Sequence, residues 1–364
     1  MPDPASCFDL AEQLGHEELL VVRDVAAGLR AVIAIHDTTL GPAVGGTRMR
    51  PYQRFQDAVD DALRLSRSMT LKAVMAGVAC GGAKAVIVGH PGRDKNRGLL
   101  VAYARAVDRL GGRFHTGGDM GIDARDTAVM ARITRHVSAS RGGSGMDVAA
   151  LTALGVVEAV AATGAELGSP LDGLHVAVQG LGQVGQPVAR RLAAAGARLT
   201  VCDADPARVE RLLAEVKAES VEPEAIYEVE ADVFSPNAMG GILDRERVAR
   251  LRCRAVAGAA NEQLADPESG DALHALGILY APDYVASAGG LLTILAERGE
   301  ADEAGVVERA REIGPRLRHI FERSREGDVP PHRVADAIAA QRLAAAREQQ
   351  REARHYGGQE WGPH

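Results

Sequence analysis

Apolar positions along this chain recur with two spacings. Segments 19–24 and 29–36 are apolar and β-branched runs separated by Ala26-Ala27-Gly28, which predicts a β-hairpin. The stretch Gly41-Pro-Ala-Val-Gly-Gly46 reads as a glycine-rich loop. From Gln56 to Met75, residues Val59, Leu63, Ser66, Met69 and Ala73 recur at helical spacing. Cys80-Gly-Gly-Ala-Lys84 then leads into a short strand over 85–88. A helix near 98–110, a strand near 113–116 and a helix near 123–133 complete a first unit. The small polar run Ser138–Gly145 buries little and tolerates many backbone angles, and so marks a hinge. Beyond a helix over 148–166, strand and helix alternate: 174–178, 183–195, 198–202 and 206–217, with apolar runs near 229–234, 254–258 and 278–280. That alternation predicts a mostly parallel sheet covered by helices on both faces. Helices near 288–298, 302–326 and 331–354 close the pattern. The last carries Arg342, Arg347, Arg351 and Arg354 among glutamates and reads as a solvated face.

Composition narrows the class. A length of 364 residues suggests two domains, and 46% apolar with 25% charged residues is ordinary for a globular chain. Aromatics are only 3%, so the cores must be built from Ala, Val, Leu and Ile. A net charge of -7 gives no attraction for nucleic acid or an anionic membrane, and no apolar run is expected to span a bilayer. Cys7, Cys80, Cys202 and Cys253 stand far apart, without zinc-ligand or redox spacing. The acidic N-terminal segment lacks the basic and apolar regions of a signal peptide, so a cytoplasmic protein is expected.

The sharpest local motif is His175-Val-Ala-Val-Gln-Gly-Leu-Gly-Gln-Val-Gly185. Gly180, Gly182 and Gly185, with Gln183 and Val184 between them, follow a strand and open a helix. Glycine there gives a tight turn, close approach of backbone to a pyrophosphate, and close helix-to-strand packing. The helix N-terminus supplies amide donors to the phosphates. The glycine pattern alone is a weak signal, and a plain structural turn is its bland alternative. Here the next strand ends at Asp203, where a carboxylate binds ribose hydroxyls and repels a 2′-phosphate. No arginine follows immediately, which favours NAD over NADP.

Three polar residues of the first unit sit in glycine-rich surroundings: Lys72, Lys84 and Asp119. Singly, Lys72 could be a solvated helix-end charge and Asp119 an ordinary turn residue. Lys84 is odder, because it precedes a continuous apolar strand. A partly buried lysine there is suited to acid–base work near neutrality.

Together with their neighbours these residues carry a resemblance. His36-Asp-Thr-Thr-Leu-Gly-Pro-Ala-Val-Gly-Gly-Thr-Arg48, Met69-Thr-Leu-Lys72, Gly81-Gly-Ala-Lys84-Ala-Val-Ile, Thr116-Gly-Gly-Asp119-Met-Gly, Gly258-Ala-Ala-Asn261 and Tyr280-Ala-Pro-Asp-Tyr-Val occur in order over roughly residues 20 to 330. The chain resembles the leucine, valine and phenylalanine dehydrogenases. The resemblance implies an α/β protein of two domains with a cleft between them. Residues 1–143, joined by a C-terminal helix over 330–364, would bind substrate and form a homo-oligomer; residues 144–329 would be a Rossmann-type NAD-binding domain. It implies reversible oxidative deamination of an apolar L-amino acid, branched-chain or phenylalanine, to a 2-oxo acid and ammonia. Lys84 would activate water and Asp119 would shuttle protons. Lys72 would hold the substrate carboxylate, with Gly45 completing that end. Thr152 and Asn261 would contact the nicotinamide and the amino-acid backbone. Val44, Gly117, Leu291 and Ile294 would line the side-chain pocket, although Leu291 and Ile294 read equally well as core.

Some positions depart from the pattern: Ala83 stands where a third glycine is usual, Ser287 where asparagine is common, Ile122 where threonine follows Asp-x-Gly, and Ser144-Gly-Met-Asp147 replaces the usual interdomain segment. If Ala83 required a left-handed backbone, alanine would strain the site. These changes motivate two alternatives, a catalytically impaired NAD-binding regulator and a specialised biosynthetic dehydrogenase.

Overall fold

The computed structural model describes residues 5–138 and 145–357. The chain divides into two compact units, residues 1–143 with 336–364, and residues 144–335. The predicted hinge falls largely on 139–144, outside the described residues.

The first unit contains α1 (Ala5–Leu14), β1 (Glu18–Asp24), β2 (Leu29–Asp37), β3 (Ala43–Arg50), α2 (Phe55–Ala76), β4 (Gly81–Val88), α3 (Arg97–Asp108), β5 (Phe114–Gly118) and α4 (Ala124–Ala131). The strands form one sheet in the order β1-β2-β4-β3-β5. β1 and β2 form the predicted hairpin, β4 runs antiparallel to β2, and β3 is parallel to β4 and β5. Alternation sorts the side chains. Val32, Ala34 and Val86 pack under α2 with Ala58, Val59, Ala62 and Leu63. Ala31, Ile33, Ala85 and Ile87 pack on the other face with Leu99, Tyr103 and Phe114. Asp57 in the first turn and Gly77, in the left-handed region at φ 68, delimit α2.

The stretch read as a glycine-rich loop is largely strand, with Gly45 and Gly46 inside β3, and the strand expected over 85–88 starts earlier, with Gly81 and Gly82 inside β4. The reason is steric. A Cβ on Gly45 would stand 1.6 Å from the Ala83 carbonyl oxygen, so glycine lets the two backbones pair closely. Buried Thr47 fixes β3 on the same face as Gly45, its hydroxyl 2.6 Å from the Tyr103 hydroxyl and 2.7 Å from that of Thr116.

The second unit begins with α5 (Val148–Glu166), β6 (His175–Gln179), α6 (Gly185–Ala194), β7 (Arg198–Cys202), α7 (Pro206–Leu213), β8 (Glu219–Ser220), β9 (Val233–Pro236) and α8 (Arg245–Arg250). It continues with β10 (Ala255–Val256), α9 (Pro267–Ala275), β11 (Leu279–Tyr280), α10 (Asp283–Ala286), α11 (Thr293–Glu297), α12 (Glu303–Arg311) and α13 (Ile313–Gly327). Six parallel strands lie in the order β11-β10-β9-β6-β7-β8. Numbered from β6, that is the 3-2-1-4-5-6 order of the doubly wound dinucleotide fold. The helix expected over 302–326 is two, broken at Glu312 because Pro315 cannot donate a main-chain hydrogen bond to the preceding turn.

Two further expectations change. By length and composition α5 is apolar enough to cross a bilayer, but half of it is buried within the second unit, where it packs against α6, α12 and α13. Two of the exposed arginines of α14 (Pro331–Gly357) are not simply solvated. Arg342 donates to the Val74 carbonyl, and Arg347 binds the buried Asp37 carboxylate and the Thr39 hydroxyl. α14 thereby clamps the end of α2 and the loop before β3.

Buried His36 of β2 and half-buried His16, in the turn before β1, both reach α2. The His36 and His16 rings meet edge to face at 4.8 Å, with His36 Nδ1 2.8 Å from the Thr70 hydroxyl and His16 Nε2 2.8 Å from that of Ser66. Burial lowers the His36 pKa and takes that of His16 down to about 4, with the neighbouring His36 adding to the effect. Unfolding returns each to about 6.5. The neutral rings therefore contribute stability above pH 6.5 that is lost as pH falls toward 4. Thermal unfolding followed between pH 7 and 4.5 should show a falling midpoint, and His16→Gln should flatten that fall. An unchanged acid slope in the variant would exclude His16 as a source.

Candidate active site

Lys84 lies on the α2 face of β4, and Asp119 follows β5 at the head of a turn closed by the Ile122 amide on the Asp119 carbonyl, 2.9 Å. The two side chains meet over Gly46: Lys84 Nζ is 2.6 Å from Asp119 Oδ2. A Cβ on Gly46 would come within 3.0 Å of the Asp119 Cβ and 3.5 Å of Lys84 Nζ. The missing side chain thus leaves the pair room to pack directly against β3. Lys84 is 8% exposed and Asp119 26%, so the carboxylate remains reachable.

Asp119 Oδ2 also accepts from Arg48 Nε at 3.3 Å. Burial alone would raise the Asp119 pKa; Lys84, Arg48 and the Met120 amide outweigh it and hold the carboxyl well below the usual carboxylate range. A close amine–carboxylate pair of this kind can pass a proton to and from a neighbouring molecule.

Lys72 is buried in the last turns of α2, two residues beyond Thr70, whose amide and hydroxyl fill the space that a side chain at Gly82 would need. Val44 and Gly46 lie on the half-open face of β3, while Gly45 is buried toward Ala83. Gly117 borders open space: a Cβ there would meet only the Ser138 Cβ, at 4.0 Å. The first unit thus gathers Val44, Gly45, Lys84, Gly117 and Asp119 along three adjacent strands.

The departures from the family pattern are accommodated. Ala83 sits in β4 and is not among the residues with positive φ, so it carries no left-handed strain. Ile122 is buried in the sheet core. Ser287 donates to the Asp283 carbonyl at 2.7 Å. Asp147 caps α5 through the Ala149 and Ala150 amides.

In the second unit the glycine motif is the β6–α6 turn. Gly180 is left-handed at φ 87, and a Cβ on Gly185 would stand 1.8 Å from the Gly180 carbonyl oxygen. Gly182 faces open space apart from the Arg208 guanidinium, 3.8 Å from where its Cβ would be. Val184 holds the α6 N-cap position without a side-chain cap, which leaves this helix end to the turn of Gly182 and Gln183. Asp203, at the end of β7, accepts from the Leu181 amide at 2.6 Å and the Asp205 amide at 2.8 Å, and pairs with Arg208 at 3.6 Å. These loops lie at the carboxyl end of the sheet, at the point between β6 and β9 where strand order reverses. Dinucleotides bind at such a point, and the residues present fit one.

Sequence reasoning missed the groups that shape these loops. Asn237, after β9, accepts from the Ala259 amide at 3.0 Å. Asp283 accepts from Glu262 at 2.6 Å and supports the loop of exposed Asn261, where Glu262 adopts φ 52. Thr152 donates to the Val148 carbonyl and lies beside Gly290, next to buried Leu291 and half-buried Ile294. Arg208, five residues after Asp203, was invisible because only the turn into α7 brings it back.

Comparison with known proteins accounts for this combination. The family model described as "Glu/Leu/Phe/Val dehydrogenase, dimerisation domain" matches residues 16–136, and "Glutamate/Leucine/Phenylalanine/Valine dehydrogenase" matches residues 203–351. The chain belongs to this family of amino-acid dehydrogenases. It is 38% identical over 344 residues to leucine dehydrogenase of Geobacillus stearothermophilus, covering 93% of this chain and 94% of that one. Phenylalanine dehydrogenase of Lysinibacillus sphaericus is 42% identical over 320 residues, covering 84% and 83%. The crystal structure of L-tryptophan dehydrogenase from Nostoc punctiforme superposes with a TM-score of 0.79 at 39% identity, over 94% of this chain and 99% of that one. The amino-acid dehydrogenases are nicotinamide-dependent oxidoreductases acting on CH–NH2 donors, and this chain is such an enzyme.

If the Lys84–Asp119 pair carries the chemistry, Gly46→Ala should cut kcat by about tenfold, because the added methyl presses on the Asp119 Cβ. NADH binding, read by fluorescence, should persist because the dinucleotide loops belong to the other unit. Wild-type kcat in the variant would show that the pair tolerates displacement.

Proposed function

We propose that this dehydrogenase deaminates an apolar L-amino acid, branched-chain or phenylalanine, to its 2-oxo acid and ammonia, with Lys84 and Asp119 as the catalytic pair. The 2.6 Å contact between Lys84 and Asp119 beside Gly46 carries the reading. The β6–α6 turn and Asp203 would hold NAD, which would supply the hydride acceptor for oxidation at the α-carbon. Lys84 in its neutral form takes a proton from water as the oxygen adds to the resulting C=N carbon. Asp119 relays a proton to the nitrogen, which leaves as ammonia while the new hydroxyl becomes the carbonyl. Lys72 holds the carboxylate, and Thr152 and Asn261 attend the nicotinamide and the amino-acid backbone.

In this reading Val44 and Gly117 of the first unit, and Leu291 and Ile294 of the second, would each contact the substrate side chain. None carries a charge to meet a substrate carboxylate, which disfavours glutamate. The open space at Gly117 supports a pocket wide enough for an aromatic ring, and relatives named for leucine, phenylalanine and tryptophan bracket that range. The description of residues 16–136 as a dimerisation domain supports a homo-oligomer formed through the first unit. Unstrained Ala83, core Ile122 and hydrogen-bonded Ser287 weaken the case for a non-catalytic relative.

NADH formation at alkaline pH, scanned across the L-amino acids, tests the reading. Turnover with leucine, valine or phenylalanine supports it, and turnover with glutamate alone overturns the pocket. Lys84→Ala should lose at least ~100-fold in kcat while still binding NADH; near-wild-type turnover would remove Lys84 from the mechanism. Asp203→Ser should raise the NADP to NAD ratio of kcat/KM by about tenfold, because Arg208 remains to meet a 2′-phosphate. An unchanged ratio would free Asp203 of cofactor selection.

A further inference from the structure

Arg48 has no place in the mechanism above, yet it is the most enclosed arginine near the pair. It lies on the α2 face of β3, 13% exposed, between two carboxylates on different elements. Its Nε is 3.3 Å from Asp119 Oδ2, and its Nη1 is 3.3 and 3.2 Å from the two Asp61 oxygens of α2. Tyr52 donates to Asp61, and Arg50 lies 5.0 Å over the Tyr52 ring. The Met49 amide donates to the Met120 carbonyl at 2.8 Å, which fixes the Asp119 turn against the strand that carries Arg48. Charges therefore alternate along one line: Asp61, Arg48, Asp119, Lys84.

We infer that Arg48 is a positioning residue that fixes the Asp119 carboxylate against Lys84 and keeps the proton of the pair on Lys84. This rests on the proposed acid–base roles of Lys84 and Asp119. The physical argument is one of fixed against mobile charge. Lys84 and Asp119 gain and lose protons during turnover, whereas the guanidinium never does in the working range. Set on the same Asp119 Oδ2 that Lys84 contacts, it makes protonation of Asp119 unfavourable at the moment Lys84 is neutral. Burial works against the Arg48 charge, but Asp119, Asp61 and Tyr52 more than offset it, and its pKa is raised. Asp61 sets how much of that charge Asp119 feels. The charged and titratable groups facing Arg48 are Asp119, Asp61 and Tyr52, and those facing Asp119 are Lys84 and Arg48.

The test is the pH profile of kcat/KM for Arg48→Gln, Arg48→Lys and Asp61→Asn, with the amino acid that the wild type oxidises fastest. Removing the Arg48 charge favours protonation of both partners, so Arg48→Gln should move the profile alkaline by about one pH unit. Its kcat should fall about 10- to 100-fold, with KM for the amino acid and NADH affinity nearly unchanged. Arg48→Lys should restore the profile but not all of kcat, because an ammonium lacks the fork that holds two carboxylates. Asp61→Asn should move the profile the opposite way, to lower pH, by leaving the Arg48 charge uncompensated. A merely structural arginine would lower activity equally at all pH and give no change of sign. Unshifted profiles in Arg48→Gln and Asp61→Asn, beside an inactive Lys84→Ala, would overturn this inference alone. An active Lys84→Ala would overturn the catalytic reading beneath it. Should Arg48→Gln fail to fold, the direction of the Asp61→Asn shift decides.

Discussion

The first unit depends on how closely β3 can approach its neighbours. Gly45 lets the β3 backbone close on Ala83 of β4, and Gly46 leaves a gap on the opposite face into which Lys84 and Asp119 reach. Each glycine gives up side-chain packing and raises the entropic cost of ordering the strand. The return is a salt bridge between strand β4 and the turn that leaves β5. A methyl group at Gly46 would press on the Asp119 Cβ and touch Lys84 Nζ. The sheet is therefore not a scaffold beneath the site but one wall of it.

That wall is held from both faces by polar contacts inside apolar packing. Beneath β3, the hydroxyls of Thr47, Tyr103 and Thr116 form a buried cluster that ties β3 and β5 to α3. Above it, Asp61 and Arg48 join α2 to β3, and His36 with Thr70 joins α2 to β2. Arg342 and Arg347 of α14 clamp the far end of α2 and the loop that enters β3. Buried polar groups are costly unless satisfied, so each fully partnered contact favours one register over its slipped alternatives.

The second unit follows a different rule. Its six parallel strands bring the loops after β6, β7, β9 and β10 to one end of the sheet, and reversal of strand order opens a gap between the β6 and β9 loops. Gly180, Asp203, Asn237 and Asn261 come from four separate stretches of chain, yet all follow a strand at that end. Asp203 serves the fold as well as any ligand, since it accepts from two amides, and Arg208 moderates its charge.

The sequence by itself determined the elements whose signal is local. Hairpin β1–β2, helix α2 and the alternation from α5 to α7 were legible because apolar periodicity is imposed by burial on one face. The glycine motif with Asp203, and the run of motifs shared with the amino-acid dehydrogenases, were equally legible, and with them the family. Tertiary structure decided what depends on residues far apart in the chain. Gly45 and Gly46 looked like loop residues because glycine signals a turn unless another backbone lies close enough to exclude a side chain. Arg48 looked like one member of a motif, and only the meeting of α2, β3 and β5 sets it between Asp61 and Asp119. Arg208 and Asn237 gave no local signal and Asp283 only its place in a motif, because their roles arise from through-space distance, which periodicity does not encode.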